Sequence, residues 1–227
     1  MTKQGKRAAA NAQIAAKYQG PQLVGDAVKA VKSFKGPKFD QSVEVSMHLG
    51  IDPRQADQQI RGSISMPKGV GKTARVLCFC AADKVDEAKA AGAIEAGGEE
   101  LVKKVADGWM DFDVAVASPD MMRVVSKLGR VLGPKGMMPS PKAGTVTPDV
   151  ANAVKEYSAG KLEFRNDSGG NVQCVVGKMS FTEEDITENL TFFMERIEKM
   201  RPASVKGQYI KKCVISGTMT PGIQIRT

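Results

Sequence analysis

The sequence predicts a two-domain α/β protein: a split α+β domain formed by both chain ends, with an α/β domain inserted between them. First, the outer thirds carry strands of alternating polar and apolar residues, which are typical of half-exposed sheets. Second, the middle third carries nearly continuous apolar strands between helices, which are typical of a covered parallel sheet. Third, each outer third is too short to build a good core alone, so we expect the two to pack together. The predicted domains are 1–67 with 160–227, and 68–159.

The bulk composition points to an acidic partner. The chain has 227 residues, a net charge of +8 and a pI of about 9.3. A positive charge of this size favours RNA, DNA or an anionic membrane. No apolar run approaches the roughly 20 residues that span a bilayer, so we expect no membrane partner. The sole histidine and the absence of C-x-x-C spacing predict no metal and no cofactor, with buried thiols in a reducing compartment.

The first segment, Met1 to Gln19, is basic and alanine-rich and has no apolar signal core. It predicts a short helix over Arg7–Tyr18, and a transit peptide is the alternative. The basic residues available to phosphates there are Lys3, Lys6 and Arg7. Helical signals continue through Leu23–Ser33 and stop at the Gly-Pro step that follows.

Two alternating strands follow. Over residues 42–49 the odd-numbered residues are apolar and the even-numbered ones polar, which predicts a half-buried strand. Asp52-Pro53 can start a helical turn with Asp52 as its N-cap. The second strand places Ile60, Ile64 and Met66 inward. The sequence from Pro67 to Gly71 then reads as a hinge.

The middle third alternates strands with helices, which predicts a three-layer, Rossmann-like α/β domain with parallel strands. Its predicted elements are a strand at Arg75–Ala81, helices at Lys84–Ala91 and Glu99–Ala106, a strand at Val114–Ala117 and a helix at Pro119–Leu128. After a long loop, Thr147 is expected to cap a helix that has Pro148 at its first position and runs to Tyr157.

The last third returns to alternating strands after Ser158-Ala159-Gly160. Strands at 162–165 and 172–176 flank the turn Asn166–Asn171 and predict a hairpin. Thr182 and Asp185 resemble a capping box for the next helix. The apolar stripe of that helix is Ile186, Leu190, Phe193 and Ile197. A last strand is expected from about Tyr209 to Ile215.

The loop from Leu128 to Val146 has four glycines and three prolines, a density that excludes a continuous helix or a central strand. No acidic residue occurs between Met121 and Pro148. The basic residues of this stretch are Arg123, Lys127, Arg130, Lys135 and Lys142. A basic loop with free backbone N–H groups suits a nucleic-acid backbone, and a solvated surface loop is the alternative.

Enzymatic interpretations find little support. Gly69–Thr73 resembles the end of a nucleotide-binding P-loop, but Met66 stands where the motif needs glycine, and a strand follows where it needs a helix. Lys68 and Lys72 are more simply hinge charges. His48 lies on the polar face of a strand with no nucleophile motif nearby, so we predict a solvated side chain and no catalytic residues.

Two further segments favour RNA. In the turn Lys35–Asp40, Lys38 can meet a phosphate, and Phe39 can stack on a base or, by its parity with Val43, pack in the core. The segment Ser216–Gly222 has small residues that let backbone donors approach a sugar–phosphate chain. Aromatic residues make up only 5% of the chain, which favours recognition of folded RNA by shape over a stacking sheet.

Read together, these segments resemble the L-one family of large-subunit ribosomal proteins over nearly the whole chain. The stretches that carry the resemblance are Lys38-Phe39-Asp40 with Val43-Glu44-Val45, Leu49 to Arg54, Arg61-Gly62, Gly71-Lys72-Thr73, Gly129 to Val146, and Thr218-Met219 with Pro221. The resemblance implies the same split architecture, present as a monomer within the large ribosomal subunit in the cytoplasm.

The resemblance also implies a function. Members bind large-subunit rRNA to form the mobile stalk at the tRNA exit site, assist release of deacylated tRNA, and commonly repress translation of their own operon mRNA. The RNA-binding residues carried over are Lys38, Phe39, Ser42, Glu44, Thr218, Met219 and Thr220. Thr220 departs from the usual glycine, and its Cβ restricts the backbone there. Arg130, Lys135 and Lys142 are implied as a secondary RNA contact. A general basic RNA-binding protein or RNA chaperone is the alternative.

Overall fold

The computed structural model of the chain describes residues 5–227, so the predicted phosphate contact Lys3 lies outside the described residues. The helices are α1 (Lys6–Ala15), α2 (Val24–Ser33), α3 (Val85–Ala90), α4 (Glu99–Ala106), α5 (Met122–Val125), α6 (Gly129–Leu132), α7 (Val150–Ser158) and α8 (Glu183–Lys199). The strands are β1 (Ser42–Leu49), β2 (Arg61–Ile64), β3 (Val76–Phe79), β4 (Glu95–Gly97), β5 (Val114–Ala117), β6 (Leu162–Arg165), β7 (Asn171–Lys178), β8 (Ile210–Gly217) and β9 (Ile223–Ile225). The prediction of an α/β protein is confirmed.

The chain divides into two compact units. The terminal unit comprises the described chain up to Arg61, with Met66–Gly71 and Phe164–Thr227. The middle unit comprises Gly62–Ser65 and Lys72–Glu163. Each unit buries its own set of apolar side chains, and each is described below by itself.

The terminal unit is built on an antiparallel sheet in the order β7-β1-β8-β9. The odd-numbered residues from Val43 to Leu49 are buried, as the alternation in the sequence predicts. Helices α2 and α8 pack on the sheet. All four residues of the predicted α8 stripe are buried, because they recur at helical spacing on the face turned to the strands. Thr182 caps α8 by accepting a hydrogen bond from the backbone N–H of Asp185 at 3.1 Å.

The middle unit contains a parallel sheet in the order β4-β3-β5. All four residues of β3 are buried, because helices cover both faces of the sheet. Leu77 and Phe79 pack toward α4 and the segment Met121–Leu132, whereas Val76 and Cys78 pack toward α3 and α7. The unit therefore has three layers: helix, sheet and helix.

The strands on either side of the predicted hairpin-like turn meet at the isolated antiparallel bridge Asn166–Val172 and do not form a continuous ladder. Strand β6 pairs with β2 in a separate two-stranded sheet, and β7 pairs with β1. The turn itself forms, because the Asp167 side chain accepts hydrogen bonds from the backbone N–H groups of Gly169 and Asn171. The strands diverge because Asn166 exchanges two hydrogen bonds with Ile60, at 2.8 and 2.9 Å.

The predicted cap of α7 is corrected. The cap of α7 is Asp149, whose side chain accepts from the backbone N–H of Asn152 at 3.1 Å, so Thr147 and Pro148 lie before the helix. Thr147 instead accepts a hydrogen bond from the Asp149 N–H. At Asp52 a turn forms as predicted: its side chain accepts from the N–H of Arg54 and its carbonyl from the N–H of Gln55, each at 3.1 Å.

The loop from Leu128 to Val146 is more ordered than its glycine and proline content predicts. It contains the one-turn helix α6 and a 3₁₀ turn at Pro141–Ala143. Thr145 closes it by accepting from the Ser140 N–H at 2.8 Å, and the Tyr157 hydroxyl donates to the carbonyl of Ala143 at 2.6 Å. Buried side chains and these internal hydrogen bonds thus replace regular secondary structure.

Candidate nucleic-acid interface

The antiparallel pairing of β1 and β8 brings the two chain ends to one edge of the terminal unit. Ser42 begins β1 and Gly217 ends β8, so the segments 38–42 and 217–220 are neighbours. Ser42 and Thr218 exchange hydrogen bonds: Thr218 N–H donates to the Ser42 carbonyl at 3.0 Å, and Ser42 N–H donates to Oγ1 of Thr218 at 3.2 Å. Residues separated by about three quarters of the chain therefore form one surface.

Gln41 is a buried side chain beneath this surface, and the sequence interpretation did not identify it. It is 3% exposed, and its Oε1 accepts a hydrogen bond from the backbone N–H of Met219 at 2.8 Å. Its backbone carbonyl accepts from Met179 at 2.9 Å. A Cβ at Gly36 would lie 2.6 Å from the Nε2 of Gln41, so a larger residue there would require this side chain to shift. Gln41 thereby holds three segments of the edge together.

The largest apolar side chains at this edge point into solvent. Phe39 is 55% exposed and Met219 is 51% exposed. The core interpretation of Phe39 is therefore wrong, because its parity with Val43 does not extend through the turn before β1. Exposed apolar side chains with hydrogen-bonding neighbours are suited to contact a base or ribose.

The polar groups around Phe39 and Met219 are arranged by hydrogen bonds within the terminal unit. Lys178 Nζ donates to the Ser42 hydroxyl at 3.1 Å. The Asp40 carboxylate accepts from the Ser180 hydroxyl at 2.8 Å, which fixes the turn that carries Phe39. Lys38 and Glu44 are exposed. This edge therefore offers ammonium, hydroxyl and carboxylate groups together.

Thr220 closes the turn after β8. Its Oγ1 accepts a hydrogen bond from the Gly217 N–H at 2.8 Å, and its own N–H donates to the Gly217 carbonyl at 3.1 Å. No residue other than glycine has positive φ in the described chain, so Thr220 adopts an ordinary backbone conformation. A threonine is thus compatible with this turn.

Helix α1 is attached to the same neighbourhood by Asn11. This side chain is 2% exposed and exchanges hydrogen bonds with the backbone of Lys35 at 2.8 and 3.0 Å. Lys6 and Arg7, two of the predicted phosphate contacts, are exposed on this helix. A lone asparagine in an alanine-rich helix was the only sequence signal for this attachment.

The predicted secondary contact lies in the middle unit. Arg130 is on α6, Lys135 is in the following turn and Lys142 is in the 3₁₀ turn. All three side chains are exposed, as are Arg123 and Lys127. Within the described residues no ion pair is recorded for any of these five. Their positive charge is consequently available to an anionic partner.

The P-loop-like segment does not form a phosphate site. Residues 70–75 are irregular and lead into strand β3, where a P-loop needs a helix. Lys68 pairs with Glu188 at 3.4 Å and Lys72 pairs with Asp113 at 3.6 Å. Arg75 hydrogen-bonds Asp113 through its side chain and backbone, and these bonds hold the pKa of Asp113 below its usual range.

The remaining reactive side chains are occupied or buried. His48 lies on the outer face of β1, as predicted, with its Nδ1 2.9 Å from Oδ1 of Asn171. All four cysteines are buried free thiols. Residues 5–227 contain no group of three or more His, Cys, Asp or Glu side chains placed to hold a metal ion. No helix in that range is long and apolar enough to cross a membrane.

Comparison with known proteins yields one family. The model of the ribosomal protein L1p/L10e family matches residues 30–221. A large ribosomal subunit protein uL1 from Nocardioides sp. is 54% identical over 199 residues, covering 88% of this chain and 83% of the relative. A protein of the same name from Kosmotoga olearia is 51% identical over 202 residues, covering 89% of this chain and 87% of the relative.

Proposed function

The chain belongs to the ribosomal protein L1p/L10e family, and we propose that it binds large-subunit rRNA as a component of the large ribosomal subunit in the cytoplasm. Its role is structural rather than enzymatic. We assign the rRNA contact to the edge of the terminal unit described above. The residues of this anchor are Lys38, Phe39, Ser42, Glu44, Thr218, Met219 and Thr220.

One observation carries this proposal: Phe39 and Met219 are exposed on an edge that the rest of the unit holds fixed. Met219 is tied to buried Gln41, and Thr218 is tied to Ser42. A backbone whose conformation is fixed before binding loses less conformational entropy when RNA binds. The edge therefore supports recognition of one RNA fold better than it supports attraction of any polyanion.

Phe39 gives the first test. We expect Phe39→Ala to weaken binding to an rRNA stalk fragment by about 1–3 kcal/mol, the range for stacking and base contacts. The matched control is Phe192→Ala on α8, which removes an equally large side chain that is 42% exposed. Filter binding or calorimetry at fixed salt measures both. Equal affinities for the two variants would remove Phe39 from the interface.

Thr218 needs a design that separates contact from architecture, because its hydroxyl also accepts from Ser42. Thr218→Ser keeps the hydroxyl, whereas Thr218→Ala removes it. We expect the alanine variant to lose affinity in the same range and the serine variant to retain most of it. Urea unfolding of both variants shows whether the loss comes from the fold. If serine is no better than alanine, the hydroxyl is not the contact.

We further propose that the protein assists release of deacylated tRNA from the exit site and represses its own operon mRNA. The exposed basic residues of the middle unit support a secondary RNA contact. Charge reversal of Lys135 and Lys142 should mainly reduce the salt dependence of binding, because these lysines act on phosphates. If it abolished binding of the stalk fragment, the terminal unit would not be the main anchor.

A general basic RNA-binding protein or RNA chaperone is the second candidate, and the net charge of +8 favours it. A competition binding assay between stalk RNA and unrelated RNA separates the two candidate functions. A specific anchor keeps its preference for stalk RNA over unrelated structured RNA at moderate salt, whereas a general binder loses it. Binding to a hairpin from the leader of the protein's own operon mRNA tests the repressor role in the same assay.

A further inference from the structure

The outer face of the four-stranded sheet extends the proposed anchor along β1. The even-numbered residues of this strand are all at least partly exposed, whereas the odd-numbered ones are buried under α2 and α8. At about 3.3 Å per residue, His48 lies about 20 Å along the strand from Ser42. A polar line therefore runs from the edge that carries the anchor toward the opposite end of the sheet.

His48 has a defined neighbour on each side of this line. It is paired with Asn171 of β7 and with Lys212 of β8. Directly opposed residues of antiparallel strands project from the same face, so the three side chains are adjacent. Lys212 is exposed, and no ion pair is recorded for it within residues 5–227. An imidazole and an uncompensated ammonium thus share the end of the outer face.

Asp167 fixes which way the Asn171 amide points. Its carboxylate accepts from Nδ2 of Asn171 at 2.9 Å, and from the backbone N–H groups of Asn171 and Gly169 at 2.8 Å each. The hydrogen bond from the Asn171 side chain and those from the backbone hold the pKa of Asp167 below its usual range. An ionised carboxylate can only accept, so the Asn171 NH₂ faces Asp167 and its oxygen faces His48.

The fixed amide in turn fixes the histidine tautomer. Oδ1 of Asn171 lies 2.9 Å from Nδ1 of His48 and can only accept a hydrogen bond. Nδ1 must therefore carry the hydrogen, and the neutral ring presents Nε2 as an acceptor. Within the described chain no hydrogen bond to Nε2 is recorded. The hydrogen bonds from Asp167 through Asn171 to His48 therefore leave Nε2 of His48 as an oriented acceptor beside Lys212.

We propose that His48 and Lys212 form a ribose–phosphate subsite: Nε2 of His48 accepts a hydrogen bond from an RNA 2′-hydroxyl, and Lys212 binds the adjoining phosphate. This inference rests on the proposed function, and it specifies the RNA groups that this part of the interface binds. The 2′-hydroxyl is the donor that distinguishes RNA from DNA. RNA is the occupant because the charge of Lys212 suits phosphate and because the face is continuous with the proposed anchor.

The tautomer can be tested directly, because the chain contains a single histidine. Long-range ¹H–¹⁵N correlation spectra of the ¹⁵N-labelled protein report both ring nitrogens without assignment. We expect the Nδ1–H form at pH 8, and a change of the Nε2 resonance on addition of an rRNA stalk fragment. Asn171→Ala removes the amide and should release the ring to the other tautomer. An Nε2–H form in the wild-type protein would overturn the proposal.

The 2′-hydroxyl contact is tested by substituting single nucleotides of the stalk fragment with their 2′-deoxy forms. At one position we expect wild-type binding to weaken about threefold to tenfold, the range of one hydrogen bond. His48→Leu should bind unmodified RNA correspondingly more weakly and should be indifferent to that deoxy substitution, because the two changes remove the same contact. Additive losses at every position would overturn the contact.

The phosphate contact of Lys212 is tested by the salt dependence of RNA binding. Lys212→Gln should reduce the slope of log affinity against log salt by about one, the effect of one phosphate contact. The matched control, Lys29→Gln, changes an exposed lysine of α2, which packs on the sheet's inner face, and should leave the slope unchanged. If stalk RNA is preferred but none of these effects occurs, the subsite is wrong and the proposed function stands. If wild-type protein shows no preference for stalk RNA, both are wrong.

Discussion

Single residues decide the shape of the edge that carries Phe39 and Met219. Gln41 occupies a position that the alternation of β1 assigns to the core, and it is buried as that alternation requires. A buried amide is stable only when it is hydrogen-bonded, and Met219 supplies the donor. The sequence shows the inward parity of Gln41 but not its partner, because that partner lies 178 residues away.

Thr220 closes the turn after β8, and this role gives a prediction. Its hydroxyl accepts from the Gly217 N–H at 2.8 Å, so Thr220→Gly should lower the free energy of unfolding by about 1 kcal/mol. Glycine also adds freedom to the unfolded chain, which acts in the same direction. Thr220→Ser keeps the hydroxyl and should restore most of the loss. Urea unfolding of the three proteins measures it.

RNA affinity of the same variants separates two effects of Thr220. If its Cβ hindered the approach of RNA, Thr220→Gly would bind the stalk fragment more tightly despite its lower stability. We expect the opposite, because the turn positions Met219 and Thr218. A tighter-binding glycine variant would show that Thr220 weakens RNA binding and does not strengthen it.

At the scale of elements, the helices and strands with a long hydrophobic period were predictable, whereas the pairing of strands in the tertiary structure was not. Strand β1 and helix α8 have long, unambiguous patterns, and both form as predicted. Strands β4 and β9 have three residues each, too few to show a period, so neither was predictable from the sequence. The pairing of β6 with β2 depends on Ile60 and Asn166, which no local pattern connects.

The start of α7 shows the same limit and gives the second prediction. Both Thr147 and Asp149 are good capping residues, and the sequence favours Thr147 because Pro148 suits the first helical position. In the structure Asp149 makes the capping hydrogen bond. Asp149→Ala should therefore cost about 1 kcal/mol, and Asp149→Asn should cost less because its side-chain oxygen still accepts. Thermal unfolding monitored by circular dichroism measures both.

The control for that cap is Thr147→Ala. Thr147 accepts a hydrogen bond from Asp149 but caps no helical N–H, so its loss should be the smaller of the two. A larger loss at Thr147 than at Asp149 would restore the interpretation drawn from the sequence.

At the scale of the whole molecule, the sequence predicted which segments share a surface better than it predicted how they are held. The polar–apolar patterns of the outer thirds required a common core, and this requirement brought Phe39 and Thr218 to one edge. The hydrogen bonds that fix the edge, through Asn11 and Gln41, join residues with no local signal. Burial is visible in the sequence as polar–apolar periodicity, whereas specific long-range hydrogen bonds leave no local pattern.

Burial of thiols in the terminal unit gives a prediction for stability at alkaline pH. Burial raises the pKa of Cys174 and of Cys213 from 9.0 to about 12. Between these values the unfolded chain loses protons that the folded chain keeps, so the free energy of unfolding falls as pH rises from about 9 toward 12. Well below pH 9 both states are protonated, and these thiols contribute no pH dependence.

Other groups titrate in the same range, so the test compares proteins that differ only in the thiols. The double variant Cys174→Ala and Cys213→Ala loses some stability at pH 8, because small cavities form in a buried face. It should nevertheless lose less than the wild-type protein between pH 8 and pH 10.5, because it has no buried thiol to ionise there. Urea unfolding at the two pH values gives both differences. Parallel losses would mean that Cys174 and Cys213 ionise in the folded protein as readily as in the unfolded chain, and that the sheet's inner face is open to water.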